Sequence, residues 1–327
     1  MSNDFPIRIG VLRGGPSAEH EVSMNSGSAI IQVIKDNFDY KYRPHDIFID
    51  RKGSWFIDGR PISIHDLHSS VDLVFNALHG TYGEDGKVQS LLEWHGIPFT
   101  GSGSLASSLG MNKSLTKKIL KDHGIKTPSW IEIKAEEIKE NIKGIVSRLF
   151  RTFHLPAVVK PNSSGSSVGV TIVKYYNELP EALFKAIEHS DTVILEEYIK
   201  GVESTCGVLE NFRSQDLYAL PPIEIRPSAH FFDYDAKYSG KSEKIVPATF
   251  SDKLKREIEE LSTKIHRALG LRHYSRSDFM IHPTRGIYAL EVNTLPGLTM
   301  ESLYPKSLRA VGSGLPEFVE HIVGLVM

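Results

Sequence analysis

Cysteine is nearly absent from this chain: Cys206 is the only one in 327 residues. An intrachain disulfide is therefore impossible, and so is a zinc cluster built from thiolates. An excess of one charge is lacking too, because 38 basic and 40 acidic residues leave a formal net charge of −2. That balance carries no footprint for nucleic acid or an anionic membrane. No apolar run approaches the length that crosses a bilayer. Met1 to Leu12 has no basic segment ahead of a long apolar core, so a secretory leader is not expected. Internal repeats and low-complexity tracts are missing as well. These absences leave a cytoplasmic globular protein, with no nucleic-acid or membrane partner and room for two or three domains.

What is present begins as an α/β pattern. Ile7 to Leu12 reads as a strand, Arg13-Gly14-Gly15-Pro16-Ser17 as a turn, and residues 19–35 as a helix. Tyr42 to Ile49 and Trp55 to Ile57 read as further strands. Val71 to Leu78 is a strongly apolar strand that runs into His79-Gly80, followed by a helix over residues 87–96. Strands alternating with helices imply a parallel sheet covered on both faces, with ligands at the strands' carboxyl ends. Pro98 to Ser104 is a small-residue joint, followed by helices near 105–110 and 113–124. Strands at 130–133, around Val158-Val159-Lys160 and at 193–199 then alternate with helices at 136–150 and 180–188, giving an α+β module.

From Gly201 the chain turns strand-rich, with runs at 203–209 and 217–225. Phe231 to Pro247 has no clear period, which in a compact domain marks a functional or disordered loop. Residues 252–269 form an amphipathic helix ending at Gly270, and Pro316 to Met327 a closing helix. The domains expected are 1–103, 104–195 and 196–327.

Chemistry concentrates in a hairpin. Arg276 to Ile281 and Ile287 to Asn293 are apolar-rich runs joined by Pro283 to Gly286. Period-two alternation puts Arg276 and Asp278 on one face of the first strand, and Glu291 and Asn293 on one face of the second. If the faces coincide, three hard oxygen donors suited to Mg²⁺ meet one guanidinium; if not, this is the solvated side of a surface hairpin. The Asn162 to Gly169 loop, almost all Ser, Gly and Asn, either covers a phosphate chain or is a plain hairpin loop. Lys160, entering it on a buried strand, needs an anionic partner, and a phosphate is a natural one. Lys113 reads by default as a solvated helix lysine, and Lys237 sits in the aromatic loop. His79 is either a general base or a satisfied structural histidine. Glu19 either binds an ammonium group or serves the helix start. No setting for covalent catalysis stands out.

Ordered along the chain, Gly14 to Ser23, Leu78-His79-Gly80 with Gly83 to Gly86, Thr100 to Gly103, Val159-Lys160-Pro161, Gly165 to Gly169, Tyr234 to Tyr238 and Leu290 to Thr299 resemble the D-alanine–D-alanine ligases of the ATP-grasp superfamily. The resemblance spans nearly the whole chain, and the order and spacing of the pieces make it specific. It implies an N-terminal parallel α/β domain and two α+β domains enclosing the nucleotide. It implies ligation of two D-alanines through an acyl phosphate, for peptidoglycan precursor synthesis.

By that resemblance, Asp278, Glu291 and Asn293 would hold two Mg²⁺ ions, with Mn²⁺ able to substitute. Lys113, Lys160 and Lys237 would contact phosphates of ATP, with Ser166 and Ser167 in the covering loop. Glu196 would take the adenine amino group, the backbone near Glu197, Tyr198 and Ile199 the ring edge, and Glu203 the ribose. Glu19 would bind the first D-alanine's ammonium with His79 close by. Arg276 and the Gly297 N–H would form the oxyanion site, and Ser302 would hold the second carboxylate. Glu19, Ser166 and Tyr238 would tie the flap shut, and a homodimer is implied. Ser163 and Ser164 stand where the family commonly carries Arg-Glu, which removes two charges from the loop. The competing readings are a D-alanine–D-lactate-type or other amino-acid ligase, which lacks an equivalent of Tyr238 in the depsipeptide case, and a nucleotide-binding protein without catalysis.

Overall fold

The computed structural model describes residues 6–165, 168–227 and 242–327. Three separate sheets organise it. The first has the order β4-β3-β2-β1-β5, built from β1 (Ile7–Gly14), β2 (Tyr42–Ile49), β3 (Trp55–Ile57), β4 (Arg60–Pro61) and β5 (Leu73–Asn76). Only β2, β1 and β5 run parallel. The expected all-parallel sheet gains an antiparallel edge, because β2 and β3 are joined by residues 50–54 alone, turning at Gly53 with positive φ, and β3 and β4 through Asp58 and Gly59, also at positive φ. Connections that short make hairpins and cannot make a crossover. Helices α1 (His20–Asn37), α2 (Ile64–Ser70) and α3 (Lys87–Trp94) accompany this sheet.

Two short helices follow, α4 (Ser104–Met111) and α5 (Lys113–Asp122). They share a core with the third sheet, since Ala106 and Leu120 cluster with Ile258, Phe279 and Val292. Asn112 caps α5 by accepting the Leu115 N–H at 3.1 Å. The second sheet, β6-β9-β7-β8, is antiparallel: β6 (Trp130–Lys134), β7 (Ala157–Pro161), β8 (Thr171–Val173) and β9 (Thr192–Glu197). Helices α6 (Ala135–Thr152) and α7 (Leu179–Ile187) cover one face, with Ile138, Leu149, Leu183 and Leu195 in a dry cluster. The expected single amphipathic helix at 136–150 is interrupted at Asn141, whose backbone is non-helical.

The third sheet holds β10 (Val202–Phe212), β11 (Gln215–Ala219), β12 (Ile223–Pro227), β13 (Ser242–Ile245), β14 (Tyr274–His282) and β15 (Gly286–Asn293). Its order is β13-β12-β10-β14-β15, with β11 also paired to β10. The expected strand over 217–225 is two strands, because Pro221 and Pro222 cannot donate to a ladder. The aperiodic stretch reaching Pro247 ends in β13 instead, whose Ser-Glu-Lys-Ile sequence suits a charged sheet edge. Helix α8 (Asp252–Ala268), capped by Ser251, packs behind this sheet, and α9 (Leu303–Ala310) and α10 (Leu315–Val326) close the chain. Tyr274, Tyr304 and Phe318 pack with Ile30 and Ile34 of α1, joining the chain's two ends in one core.

One irregularity decides what β15 shows to each side. Phe279 pairs with Ala289, yet Asp278 pairs with Glu291, so Leu290 is the extra residue of a β-bulge. Ile287 and Ala289 face the core before it, and Val292 faces the core after it. The bulge reverses the phase of the strand, turning Glu291 and Asn293 toward the open face.

Candidate active site

That open face borders a cavity of about 600 Å³ between the second and third sheets, closed at one end by the loops after β1 and β5. Cross-strand register stacks its polar floor in rows. Gly207, Arg276 and Asn293 lie side by side, and Thr205, Asp278 and Glu291 form the next row. Glu203 and Met280 follow, with Ile225 and Lys244 continuing that row across β12 and β13. Asp278 Oδ1 accepts from the Thr205 hydroxyl at 2.6 Å and from Arg276 Nε at 2.9 Å. Its Oδ2 accepts from Arg276 Nη2 at 3.0 Å and from the Asn293 amide at 3.1 Å. Burial opposes the charge on Arg276, but Asp278, then Glu291 and Glu84, outweigh it and raise its pKa above the ordinary arginine value. The hairpin faces therefore coincide.

Two carboxylates and an amide oxygen in adjacent rows are the hard donors Mg²⁺ takes, so this set fits a divalent ion. Lys113 Nζ lies 3.4 Å from Glu291 Oε2 and balances charge from α5. Among the described residues no group of three His, Cys, Asp or Glu is placed to hold a metal. An ion here would thus take further ligands from water or a phosphate-bearing substrate.

The loop after β5 grips the loop after β15. Glu84 accepts the Gly80 N–H at 2.8 Å and the Leu295 N–H at 3.1 Å. His79 Nδ1 lies 2.9 Å from the Leu295 carbonyl, which can only accept, so Nδ1 carries the proton. Its Nε2 then accepts from the Ser26 hydroxyl at 2.8 Å. Both polar groups of Leu295, two residues before Gly297, are held by the loop after β5. Burial, and then the nearby Glu19 charge, push the Glu84 pKa up to about 8. Glu19 fits into a space that only glycines leave open. A Cβ on Gly80, which sits at φ +71, would stand 2.5 Å from Glu19 Oε2, and one on Gly165 would stand 2.6 Å away.

Of the two readings of His79, these bonds favour the structural one, because both ring nitrogens are engaged. Burial lowers its pKa from 6.5 to about 4. As pH falls the unfolded chain takes up the proton first, so stability is lost between about pH 6.5 and pH 4. Asparagine at this position keeps a donor for Leu295 and cannot titrate. Going from pH 7 to pH 5, the wild type should lose about 2 kcal/mol more than His79→Asn, measured from urea midpoints. Equal losses would refute the neutral, engaged histidine.

At the other end of the cavity, Lys160 Nζ donates to Glu196 Oε1 at 2.8 Å, and Lys117 Nζ lies 2.7 Å from Oε2. The anionic partner that the sequence demanded for Lys160 is thus a protein carboxylate. Lys113 donates to the Ser164 carbonyl at 2.6 Å and is buried, so the solvated-lysine reading does not hold. Glu197 pairs with Arg285 of the β14–β15 turn at 2.5 Å.

Glu19, His79, Lys113, Lys160, Glu196, Glu197, Tyr198, Ile199, Glu203, Arg276, Asp278, Glu291, Asn293 and Gly297 all line the one cavity. Ser302 stands just outside that lining at the start of α9. Its hydroxyl is 2.7 Å from that of Thr299, and 2.9 Å from where a Cβ on Gly297 would be. Ser166, Ser167, Lys237 and Tyr238 lie outside the described residues. Sequence reasoning gave no separate role to Glu84, Thr205 or Lys117. Glu84 could have been found as the acid of a glycine-rich loop after a buried strand, and Lys117 as the residue one helical turn beyond Lys113.

Comparison with known proteins matches the chain in two parts. A family model described as D-ala D-ala ligase N-terminus matches residues 8–67 and 58–102, and one described as D-ala D-ala ligase C-terminus matches 119–324. The D-alanine–D-alanine ligase of Carboxydothermus hydrogenoformans is 41% identical over 321 residues, covering 98% of each chain. That of Geobacter sulfurreducens is 40% identical over 318 residues, covering 97% of this chain and 93% of the relative. Among solved structures, the VanG D-Ala:D-Ser ligase from Enterococcus faecalis superposes with a TM-score of 0.87 at 32% identity, covering 99% of this chain and all of that one. The D-alanine–D-alanine ligase from Coxiella burnetii gives a TM-score of 0.81 at 28% identity, covering 98% and 94%.

Proposed function

The chain belongs to the D-alanine–D-alanine ligase family, and from that premise we propose how its own residues carry the reaction. It has the ATP-grasp fold of those ligases. It is an ATP-dependent, ADP-forming ligase that makes D-alanyl-D-alanine for peptidoglycan synthesis. The γ-phosphoryl group of ATP passes to the carboxylate of one D-alanine, breaking its bond to ADP. The amine of the second D-alanine attacks that acyl carbon and loses a proton, and the tetrahedral adduct collapses with expulsion of phosphate.

The observation that carries the residue assignments is the paired register of Arg276 with Asn293 and Asp278 with Glu291 on the cavity floor. Asp278, Glu291 and Asn293 would hold Mg²⁺, two ions in our reading, with Mn²⁺ a workable substitute; bound there, the metal would supply positive charge for the phosphates in a transfer that depends mostly on positioning and electrostatics. Lys113 and Lys160 face the phosphates, joined by Lys237. Glu196 accepts from the adenine amino group, the backbone at Glu197 to Ile199 meets the ring edge, and Glu203 takes the ribose.

Glu19 binds the ammonium of the first D-alanine beside His79, and Ser302 the carboxylate of the second. Arg276 and the Gly297 N–H stabilise the oxyanion where charge develops. Glu19, Ser166 and Tyr238 close the flap, which shields the acyl phosphate from water. We assign three domains following the three sheets, close to 1–103, 104–195 and 196–327. A homodimer in the cytoplasm is part of the same reading; no helix among the described residues is long and apolar enough to cross a membrane.

The test is ADP formation with ATP, Mg²⁺ and a panel of D-alanine, D-serine, D-lactate and L-alanine. D-Alanine alone should drive turnover. Faster turnover with D-serine or D-lactate as second substrate would reject the specificity, and no D-alanine-dependent ADP would reject the enzyme.

A further inference from the structure

Lys117 is fully buried and does not line the cavity, yet it touches a residue that does. It lies one turn beyond Lys113 on α5. Its Nζ is 2.7 Å from Glu196 Oε2, donates to the Thr127 hydroxyl at 2.8 Å, and stands 5.7 Å from the centre of the Trp130 ring. With Lys160 on Oε1, Glu196 is held between two ammonium groups and shows 3% of its surface, on the cavity side. Oε2 is ion-paired with Lys117 and shielded from solvent, and a carboxylate oxygen such as Oε1 keeps a second lone pair beyond the one given to Lys160.

A buried Lys–Glu–Lys group is a poor stability device, because desolvating the charges offsets their attraction and apolar side chains of similar size do as well. Its chemical effect is on the carboxyl group. An ionised carboxylate can only accept hydrogen bonds, whereas a protonated one can also donate. Burial is the strongest influence on Glu196 and favours the neutral acid, and Lys117 is the largest influence against it, followed by Lys160. Burial lowers the Lys117 pKa to about 8 even beside Glu196, which still leaves it mostly charged at neutral pH.

We propose that Lys117 is a base-selecting positioning residue: it keeps Glu196 ionised and acceptor-only, so that the cavity takes a purine with an amino group at C6 and rejects a 6-oxo purine. The proposal rests on the reading of Glu196 as the adenine contact. A 6-oxo base would set its own acceptor against an acceptor-only carboxylate, and its oxygen would go unpaired in a dry site. Without Lys117 the buried acid would hold its proton and could donate to that oxygen.

ATP and ITP differ at this position, so the experiment compares kcat/KM for ADP and IDP formation at saturating D-alanine. Wild type should prefer ATP by about 100-fold or more, and Lys117→Met should narrow that ratio by about tenfold or more. The change should appear in the nucleotide KM, with the D-alanine KM held within about twofold. An unchanged ratio in a folded Lys117→Met protein would overturn the proposal. Glu196→Gln separates the two layers: if that variant also leaves the ratio unchanged, the adenine reading has failed and the role of Lys117 with it. Should Lys117→Met not fold, the double variant Lys117→Met/Glu196→Gln removes both opposing charges. Its ratio should equal that of Glu196→Gln alone, and a further drop would show that Lys117 does not act through Glu196.

Discussion

Arg276→Lys is expected to lower kcat by about 10²- to 10³-fold, with little change in either substrate's KM. The guanidinium grips Asp278 at two points, and Asp278 is braced in turn by Thr205 and Asn293. Lysine keeps the charge but cannot reproduce a planar two-point contact, so its ammonium would not stand where the guanidinium does. The raised pKa of Arg276 keeps its positive charge at any working pH. Because the oxyanion exists only after phosphoryl transfer, a misplaced donor costs turnover and spares binding. Trapping with hydroxylamine checks the order of events, since acyl phosphate should still form and yield the hydroxamate. A kcat within tenfold of wild type would exclude the oxyanion role. Loss of trapped hydroxamate in proportion to kcat would move Arg276 to the phosphoryl-transfer step.

Glu291→Gln is expected to reduce turnover at low Mg²⁺ by at least about 100-fold, since disturbing even the outer partners of metal ligands costs about 10- to 100-fold. The amide keeps the shape and one oxygen of the side chain, so the fold should melt as before in the absence of metal. What changes is charge: the site loses one of its two carboxylates, and Lys113 loses the partner that it meets at 3.4 Å. Raising Mg²⁺ should restore part of the activity, which a titration of ADP release against Mg²⁺ would show. A variant as active as wild type at limiting Mg²⁺ would remove Glu291 from the metal site.

The hairpin was legible in the sequence because its two determinants are local. Pro283 to Gly286 marks the turn, and the period of two puts Arg276 with Asp278 and Glu291 with Asn293. That the two faces coincide was not legible. Strict alternation from the core positions Ile287 and Ala289 would have buried Glu291, and only the paired strands reveal the bulge. Lys160 shows the same limit in another form. Its need for an anion follows from burial alone, but Glu196 stands 36 residues away on a neighbouring strand. The engagement of His79 likewise depends on Leu295, a contact spanning 216 residues. Motifs legible one by one thus met partners that only the tertiary fold could supply.

The surplus Leu290 has a genetic consequence. Losing its codon in frame would leave every residue with known chemistry in place, and no substitution would be recorded. β15 would then pair without a bulge: Glu291 would follow Ala289 directly, still opposite Asp278 on the open face, and Val292 would still meet the core. Related genes should therefore tolerate both replacement and in-frame loss of this codon. What the hairpin cannot do is keep the residue and lose the bulge, which would turn Glu291 into the core.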